Sequence, residues 1–156
     1  MKVKGFNPVF NKDSEILILG SFPSVKSREY NFYYGNKHNR FWKLMEKFFN
    51  AKLLSISEKT EFLLKNKIAL WDIVTECEIV GSMDKNIKNP VYAKLEMVLP
   101  PNTGAKKILC NGKLSYKLTV EYCANNNINV PIVCLPSTSP ANARFNEEKW
   151  INELKK

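Results

Sequence analysis

The sequence predicts an α/β fold: a three-layer α/β/α sandwich whose central sheet contains four mostly parallel strands. Four short runs of Ile, Leu and Val are nearly continuous in hydrophobicity, which is typical of strands covered on both faces. Helix-like segments separate these runs, and strands that alternate with helices form parallel sheets. Residues 1–156 are expected to form one domain, because the length fits one and no linker or repeat divides it.

Strands and helices are predicted from hydrophobic spacing, helix-capping residues and helix breakers. The strands are expected at residues 15–20, 67–71, 107–111 and 130–135. The helices are expected at residues 39–50, 57–66, 90–99, 113–124 and 145–155, the second beginning at a capping-type Ser57 and the third at Pro90. Open sheets of this kind bind ligands at the carboxyl ends of their strands, so a functional site is expected in the segments that follow the strands.

The chain is strongly basic, with 24 Lys and Arg against 15 Asp and Glu and a net charge of +9 at pH 7. This surplus favours a polyanionic partner such as DNA, because neutralised phosphates release their counterions. A merely solvated basic surface explains the same composition equally well, since only three of the basic residues are arginines. Charge alone therefore does not decide between these alternatives.

Composition also argues against metals, cofactors and membranes. The four cysteines include no C-x-x-C pair and His38 is the single histidine, so neither a zinc site nor an iron–sulfur cluster is expected. No apolar run approaches the ~18 residues of a membrane span, and the N-terminus lacks an apolar signal segment. We expect a soluble, monomeric, cytoplasmic protein without cofactors, associated with the nucleoid if the source is prokaryotic.

Two of the strand ends are followed by unusual polar loops. After the first strand, a glycine that permits close approach and a proline that stiffens the loop lie among hydroxyl groups that can face a base. After the last strand, three hydroxyl residues lie between two prolines, which suits contacts to backbone phosphates and a small wedge against the duplex. The predicted base-binding residues of the first loop are Gly20, Ser21, Phe22, Pro23 and Ser24. The predicted DNA-binding residues of the last loop are Ser137, Thr138, Ser139, Pro140, Ala141, Asn142 and Arg144.

A third segment, residues 32–42 (FYYGNKHNRFW), mixes aromatic rings with amides and cations. Rings stack on bases, amides form hydrogen bonds with base edges, and cations bind phosphate. Phe41 and Trp42 are more simply explained as the buried start of a helix. Core packing explains Tyr33, Tyr34 and Asn39 poorly, so these three are expected to face a ligand.

Several further polar residues are weaker candidates. Asp72 follows the second strand, where it can contact the base or polarise a water, and a structural cap is an equally good explanation. Ser82 and Asp84 can line the floor of a pocket, although a turn explains them better. His38 adjoins Asn39, and as a lone histidine in a basic loop it is expected to be a bystander.

The three segments GSFPS, YYGNKHNRFW and LPSTSPANAR, taken in order, resemble the uracil-DNA glycosylase superfamily. The similarity extends from about residue 9 to residue 144. The nearest branch is that of the hypoxanthine-DNA (deoxyinosine) glycosylases, and the mismatch-specific uracil/thymine branch is the next nearest. The resemblance implies an α/β/α sandwich, DNA with a deaminated base as substrate, and hydrolysis of the N-glycosidic bond.

Departures from the family pattern shape the expected mechanism. Phe22 stands where the mismatch branch has the asparagine that positions the attacking water, and the aspartate of the uracil enzymes is also missing. The hypoxanthine branch lacks both residues as well, and its catalytic asparagine in the N-x-F-W motif corresponds to Asn39. Tyr34 matches the position of the ring that stacks on the flipped base. Residues 135–137 (LPS) lack the usual His or Asn, so main-chain N–H groups of residues 21–24 are candidates for stabilising the departing base.

Alternative functions remain open from the sequence. A uracil or G·T/U mismatch glycosylase is the nearest, and Phe22 argues against it. A DNA-binding relative without catalytic activity would keep the basic surface and the aromatic loop. A small-molecule α/β enzyme is disfavoured, because the phosphate-binding and nucleophile motifs of such enzymes are absent. No lysine is clearly placed for a Schiff base, so the glycosylase is expected to be monofunctional.

Overall fold

The computed structural model describes residues 2–155, whose elements alternate between strand and helix through most of the chain. The strands are β1 (Lys2–Lys4), β2 (Ile16–Gly20), β3 (Ile68–Asp72), β4 (Val74–Glu78), β5 (Lys88–Tyr92), β6 (Lys107–Asn111) and β7 (Ile132–Leu135). The helices are α1 (Val25–Tyr30), α2 (Phe41–Phe49), α3 (Ile56–Lys65), α4 (Lys113–Asn125) and α5 (Glu147–Lys155). Short 3₁₀ turns cover Asp84–Asn86 and Leu95–Val98.

The central sheet has four parallel strands in the order β3-β2-β6-β7. All four predicted strands are confirmed, each within two residues of its expected limits. In β2, β3 and β6 nearly every residue is buried, which explains why their hydrophobicity does not alternate. Because the strands are parallel, their carboxyl ends at Gly20, Asp72, Asn111 and Leu135 lie along one edge of the sheet.

Helices cover this sheet in the predicted three-layer sandwich. Helix α4 packs on β6 and β7, and α3 packs on β3. The buried Ser115 hydroxyl of α4 donates a 2.8 Å hydrogen bond to the carbonyl of Leu19 in β2. Helices α2 and α5 meet through Phe41 and Trp150, whose ring centroids lie 6.1 Å apart in a T-shaped contact. Within residues 2–155, no helix has both the length and the apolar character that crossing a membrane requires.

A second, three-stranded antiparallel sheet of order β1-β4-β5 was not predicted. The predicted helix at residues 90–99 is wrong, because this stretch forms the end of β5 followed by a 3₁₀ turn. Pro90, interpreted as a helix start, instead lies in an edge strand, where its missing N–H is tolerated. The positive φ of 50° at Asn89 also interrupts any helical path into this segment.

Two helix starts also differ from the sequence expectation. Helix α1 was not predicted, and it begins where the Ser24 hydroxyl accepts a hydrogen bond from the N–H of Ser27. Helix α3 is capped by Ser55 rather than Ser57. Ser55 Oγ accepts from the N–H of Glu58, and Glu58 Oε1 accepts from the N–H of Ser55, which completes a capping box.

The capping box predicts that Ser55→Ala lowers the free energy of unfolding by about 1 kcal/mol, because it leaves an N–H group of the first helical turn without its partner. Urea denaturation followed by circular dichroism measures this change. Ser57→Ala is the matched control, since Ser57 is exposed inside the helix. We expect it to change stability by less than ~0.5 kcal/mol. A larger loss in Ser57→Ala than in Ser55→Ala would contradict the observed cap.

Candidate functional site

A cleft of about 570 Å³ lies at the edge of the central sheet where the parallel strands end. Gly20 of β2, Asp72 of β3 and Asn111 of β6 line it, together with Ser137, which follows β7. The site is therefore at the position that strand topology predicts for a ligand. Its volume is within the range of pockets that hold small organic molecules, and a nucleobase is smaller than most of these.

The cleft brings together nearly all residues selected from the sequence. Asn39, Tyr34, Asp72 and residues 20–24 line it, as do residues 137–142. Arg144 is exposed and lies outside this lining. The lining also contains residues to which the sequence analysis assigned no role: Ser27, Asn36, Met83, Lys85 and Asn111.

The ring of Tyr34 forms part of the cleft wall. It stacks on Phe41 with centroids 4.3 Å apart and an interplanar angle of 30°. Tyr34 has a φ of +54°, which is unusual for a bulky residue. Such a backbone conformation persists only where the surrounding structure imposes it, and it is frequent at ligand sites. Since Phe41 covers one face of the ring, the cleft side remains open to a second flat group.

Neighbouring aromatic residues are structural. Phe41 and Trp42 belong to the core, as expected, with exposed fractions of 0% and 6%. Tyr33, which was expected to face a ligand, does line the cleft, but it is only 2% exposed and its hydroxyl donates a 2.8 Å hydrogen bond to the carbonyl of Asn7. Trp42 Nε1 in turn donates to the carbonyl of Tyr33 at 2.8 Å. These contacts fix the loop that presents Tyr34.

Asn39 lines the cleft at the start of α2. Its carboxamide oxygen accepts a 2.9 Å hydrogen bond from the main-chain N–H of Phe41. The main-chain N–H of Asn39 donates to the carbonyl of Asn36 at 2.9 Å. The side chain therefore has a fixed orientation. A carboxamide oxygen has two lone pairs, so one acceptor site remains after the bond to Phe41.

The loop of residues 137–142 is anchored from two directions. Thr138 is fully buried, and its N–H and hydroxyl form reciprocal hydrogen bonds of 2.9 and 3.0 Å with the side chain of Asn111. Arg40 donates from its main-chain N–H to the carbonyl of Thr138 at 3.0 Å and from its guanidinium to the carbonyl of Ser139 at 2.9 Å. Asn111 could have been found from the sequence, because it ends a predicted strand.

Residues 82–85 also line the cleft and are tied to the segment after β2. Ser21 Oγ donates to Asp84 Oδ1 at 2.8 Å, and the N–H of Val25 donates to Ser82 Oγ at 2.9 Å. Ser82 and Asp84 thus both hold a turn and line the cleft, which combines the two explanations considered for them. Met83 and Lys85 were missed, although their neighbours Ser82 and Asp84 were candidates, because neither an apolar nor a basic side chain in a turn indicates a site by itself.

Asp72 is the most unusual titratable group of the cleft. It is 5% exposed, and its Oδ2 has no hydrogen-bond partner among residues 2–155. Burial, and after it the charge of Asp84, raises the pKa of Asp72 to about 7. The buried hydroxyl of Tyr34 likewise has no partner among these residues, and burial raises the pKa of Tyr34.

Gly20 leaves room for the carboxyl group of Asp72 and the hydroxyl of Tyr34 at the end of β2. A Cβ at residue 20 would collide with Asp72 Oδ1 and would lie 2.9 Å from the hydroxyl of Tyr34. The end of β2 therefore has to be a glycine for the carboxyl group and the phenol to reach the same part of the cleft. Within residues 2–155, no three His, Cys, Asp or Glu side chains are grouped so as to hold a metal ion. The site offers stacking, hydrogen bonding and a buried carboxyl group.

Comparisons with known proteins agree with this geometry. The family model of the uracil DNA glycosylase superfamily matches residues 8–155. A protein named hypoxanthine DNA glycosylase from Methanosarcina barkeri is 37% identical over 117 residues, which cover 74% of each chain. A second protein of that name, from Methanosarcina acetivorans, is 31% identical over 158 residues and 94% of each chain.

Solved structures support the same relationship. The solution NMR structure of a candidate uracil DNA glycosylase from Methanosarcina acetivorans superimposes with a TM-score of 0.82 and 29% sequence identity, and it covers 100% of both chains. The matched family model spans nearly the whole chain, including the cleft. The chain therefore belongs to the uracil DNA glycosylase superfamily.

Proposed function

We propose that this chain is a monofunctional DNA glycosylase that removes hypoxanthine from deoxyinosine in DNA, as a first step of base-excision repair. The observation that carries the proposal is a cleft with three features: an aromatic ring backed on one face, a fixed carboxamide, and a buried carboxyl group. The names of the two Methanosarcina relatives favour hypoxanthine as the lesion. The net charge of +9 suits a DNA substrate.

Binding begins with extrusion of the damaged nucleotide from the stack, which costs a few kcal/mol and less for a mispaired inosine. Tyr34 contributes the stacking surface, because Phe41 already holds its ring from behind. Phe22 also lines the cleft and is available for a second contact to the base. A rigid ring needs little ordering on binding, so most of its contact energy is retained.

Residues 137–142 are proposed to hold the DNA backbone beside the flipped nucleotide. Their hydroxyl and main-chain groups are suited to phosphate oxygens, and the bonds to Asn111 and Arg40 fix the loop before DNA arrives. Arg144 lies exposed just beyond the loop, where a cation can contact a phosphate outside the cleft. Ala141 and Pro140 are the apolar residues that can press against the duplex.

Asn39 is proposed to orient the attacking water toward C1′ of the sugar. Its remaining carboxamide lone pair accepts one hydrogen of the water, and the bond from Phe41 keeps the oxygen in place. An amide is not a useful base at neutral pH, so its contribution is positioning. Positioning is sufficient when the base departs first and the water is captured late by an oxocarbenium-like sugar.

The primary test is a glycosylase assay on labelled duplexes that contain one inosine, uracil or xanthine, followed by alkaline cleavage. We expect strand breaks at inosine that depend on alkali, because a monofunctional enzyme leaves an intact abasic strand. Breaks mainly at uracil would assign the chain to a uracil-specific activity. Breaks at none of the lesions would leave a DNA-binding protein and overturn the proposal.

Asn39→Ala is expected to lower the single-turnover rate on inosine by at least ~10²-fold, since water positioning is lost, while DNA affinity changes only a few fold. Asn36→Ala is the matched control. Asn36 lies in the same loop and accepts a 2.9 Å hydrogen bond from the N–H of His38, much as Asn39 does with Phe41. Equal losses in the two variants would show that Asn39 acts through loop structure alone.

Tyr34→Ala is expected to weaken binding of a duplex with a non-cleavable inosine analogue by ~1–3 kcal/mol, the usual value of base–aromatic stacking. Tyr34→Phe keeps the ring and removes the buried, unpartnered hydroxyl, so it should bind nearly as the wild type. Fluorescence anisotropy measures both affinities. Normal binding by Tyr34→Ala would exclude stacking on this ring.

A further inference from the structure

The cleft lining contains two carboxyl groups, and that of Asp72 is buried whereas Asp84 is exposed. We infer that Asp72, in its protonated form, is the acid that transfers a proton to a ring nitrogen of the departing hypoxanthine. This inference rests on the proposed glycosylase function and adds to it the group that assists departure of the base. It also adds a reason for selecting purines.

The position of Asp72 suits contact with a flipped base. It ends β3 beside Gly20 and lines the same cleft as Tyr34 and Asn39. The absent side chain of Gly20 is what lets the carboxyl group reach the cleft, because a Cβ there would collide with Asp72 Oδ1. A base stacked on Tyr34 would therefore present its edge near the end of β3.

The surroundings of Asp72 favour the neutral acid. The carboxyl group is buried, and no described residue donates a hydrogen bond to its Oδ2. A buried carboxylate without donors is strongly destabilised, so such a group holds its proton to a higher pH. Burial, followed by the charge of Asp84, raises the pKa of Asp72 to about 7. A pKa close to neutrality suits an acid that has to donate a proton and regain it.

The charged and titratable groups around Asp72 come from three parts of the chain. Asp84, in the turn after β4, is the acidic neighbour, and it shares a hydrogen bond with Ser21. Tyr33 and Tyr34, in the loop before α2, have pKa values raised first by burial and then by the charge of Asp72, so both remain neutral. Lys85 also lines the cleft, on the Asp84 side.

Proton transfer to the base and hydrolysis of the C1′–N9 bond need no reactant other than DNA and water. The carboxyl proton of Asp72 moves to N3 or N7 of hypoxanthine, and the C1′–N9 bond breaks with its electron pair passing to the base. Hypoxanthine leaves as a neutral molecule. Water held by Asn39 adds to C1′ of the oxocarbenium-like sugar and loses a proton through solvent to the Asp72 carboxylate, which restores the acid.

This role distinguishes purines from uracil. Hypoxanthine has two ring nitrogens with free lone pairs, N3 and N7, whereas the ring nitrogens of uracil are occupied by the glycosidic bond and by a hydrogen. A proton donor at this position therefore assists hypoxanthine and gives uracil no comparable help. Main-chain N–H groups near Ser21 can stabilise charge on either base, but they cannot transfer a proton.

Asp72→Asn is expected to lower the single-turnover rate on inosine by ~10²–10⁴-fold, the usual contribution of general acid catalysis. Residual activity on uracil should fall far less.

In the wild type the inosine rate should be constant at low pH and should decline above about pH 7, as Asp72 loses its proton. Asp72→Asn should lack this decline. Asp84→Asn, which can still accept from Ser21, should move the decline to lower pH, because the charge that disfavours ionised Asp72 is removed.

Binding and substrate analogues separate this chemistry from structural damage. A duplex with 2′-fluoro-deoxyinosine, whose glycosidic bond resists cleavage, should bind wild type and Asp72→Asn equally within a few fold. Substrates that carry 3-deaza- or 7-deazahypoxanthine each lack one acceptor nitrogen. They need to be tested only with the wild-type protein. One of the two should be excised ~10²-fold or more slowly than hypoxanthine.

The outcomes are distinguishable. A wild type that releases hypoxanthine, together with an active Asp72→Asn or with normal excision of both deaza substrates, overturns this inference and leaves the proposed function intact. A wild type that releases no hypoxanthine overturns the proposed function, and the inference fails with it. Loss of 2′-fluoro-deoxyinosine binding in Asp72→Asn would make Asp72 a binding residue and would also overturn the role as acid.

Discussion

The close approach at Gly20 is the constraint on which the rest of the site depends. Because this residue has no side chain, the carboxyl group of Asp72 and the hydroxyl of Tyr34 reach the same place at the sheet edge. Parallel pairing of β2 with β3 sets Gly20 directly opposite Asp72, so the register of the sheet fixes the site. Any larger residue at position 20 would have to displace one of the two groups, and with it either the proposed stacking surface or the proposed acid.

Rigidity around this point comes from hydrogen bonds that cross between loops. Asn111 and Arg40 hold residues 137–142, while the Ser21–Asp84 bond joins the walls on the other side. Of the four buried side-chain atoms without a partner among residues 2–155, two, the Tyr34 hydroxyl and Asp72 Oδ2, belong to residues that line this cleft. Buried polar groups without partners are costly, and natural proteins tend to retain them where function requires them. The unpartnered polar groups and the hydrogen bonds that surround them are thus complementary parts of one preorganised site.

Sequence reasoning succeeded where burial on both faces leaves a strong pattern. The strands of the central sheet are near-continuous apolar runs, and the strand-end rule then located residues 20–24 and residues 137–142. It failed where tertiary contacts, rather than the local sequence, determine the secondary structure or the exposure of a side chain. Strand β5 is a short edge strand with Pro90 inside it, and α1 spans only six residues, so neither produces a clear period. Tyr33 and Tyr34 are adjacent and chemically identical and both line the cleft, and only packing makes Tyr33 the more deeply buried of the two. Asn111 was missed although it ends a predicted strand, because no polar loop motif follows that strand as it does the first and the last.

In the proposed mechanism, positioning the water and protonating the base fall to different residues. This division would let the site work without the asparagine of the mismatch branch and the aspartate of the uracil enzymes. Phe22 stands where the mismatch branch has its water-positioning asparagine, and the proposed mechanism therefore assigns that task to Asn39 at the start of α2. Asn39 cannot exchange a proton, yet hydrolysis has to deliver one to the base and remove one from water. Histidine is a common proton carrier in enzymes, but His38 is exposed and lies outside the cleft lining. In the proposed mechanism the buried carboxyl group of Asp72 carries the proton, because burial and, after it, the charge of Asp84 raise its pKa to about 7. The burial that costs the fold stability is thus the main reason that this group holds a proton near neutral pH.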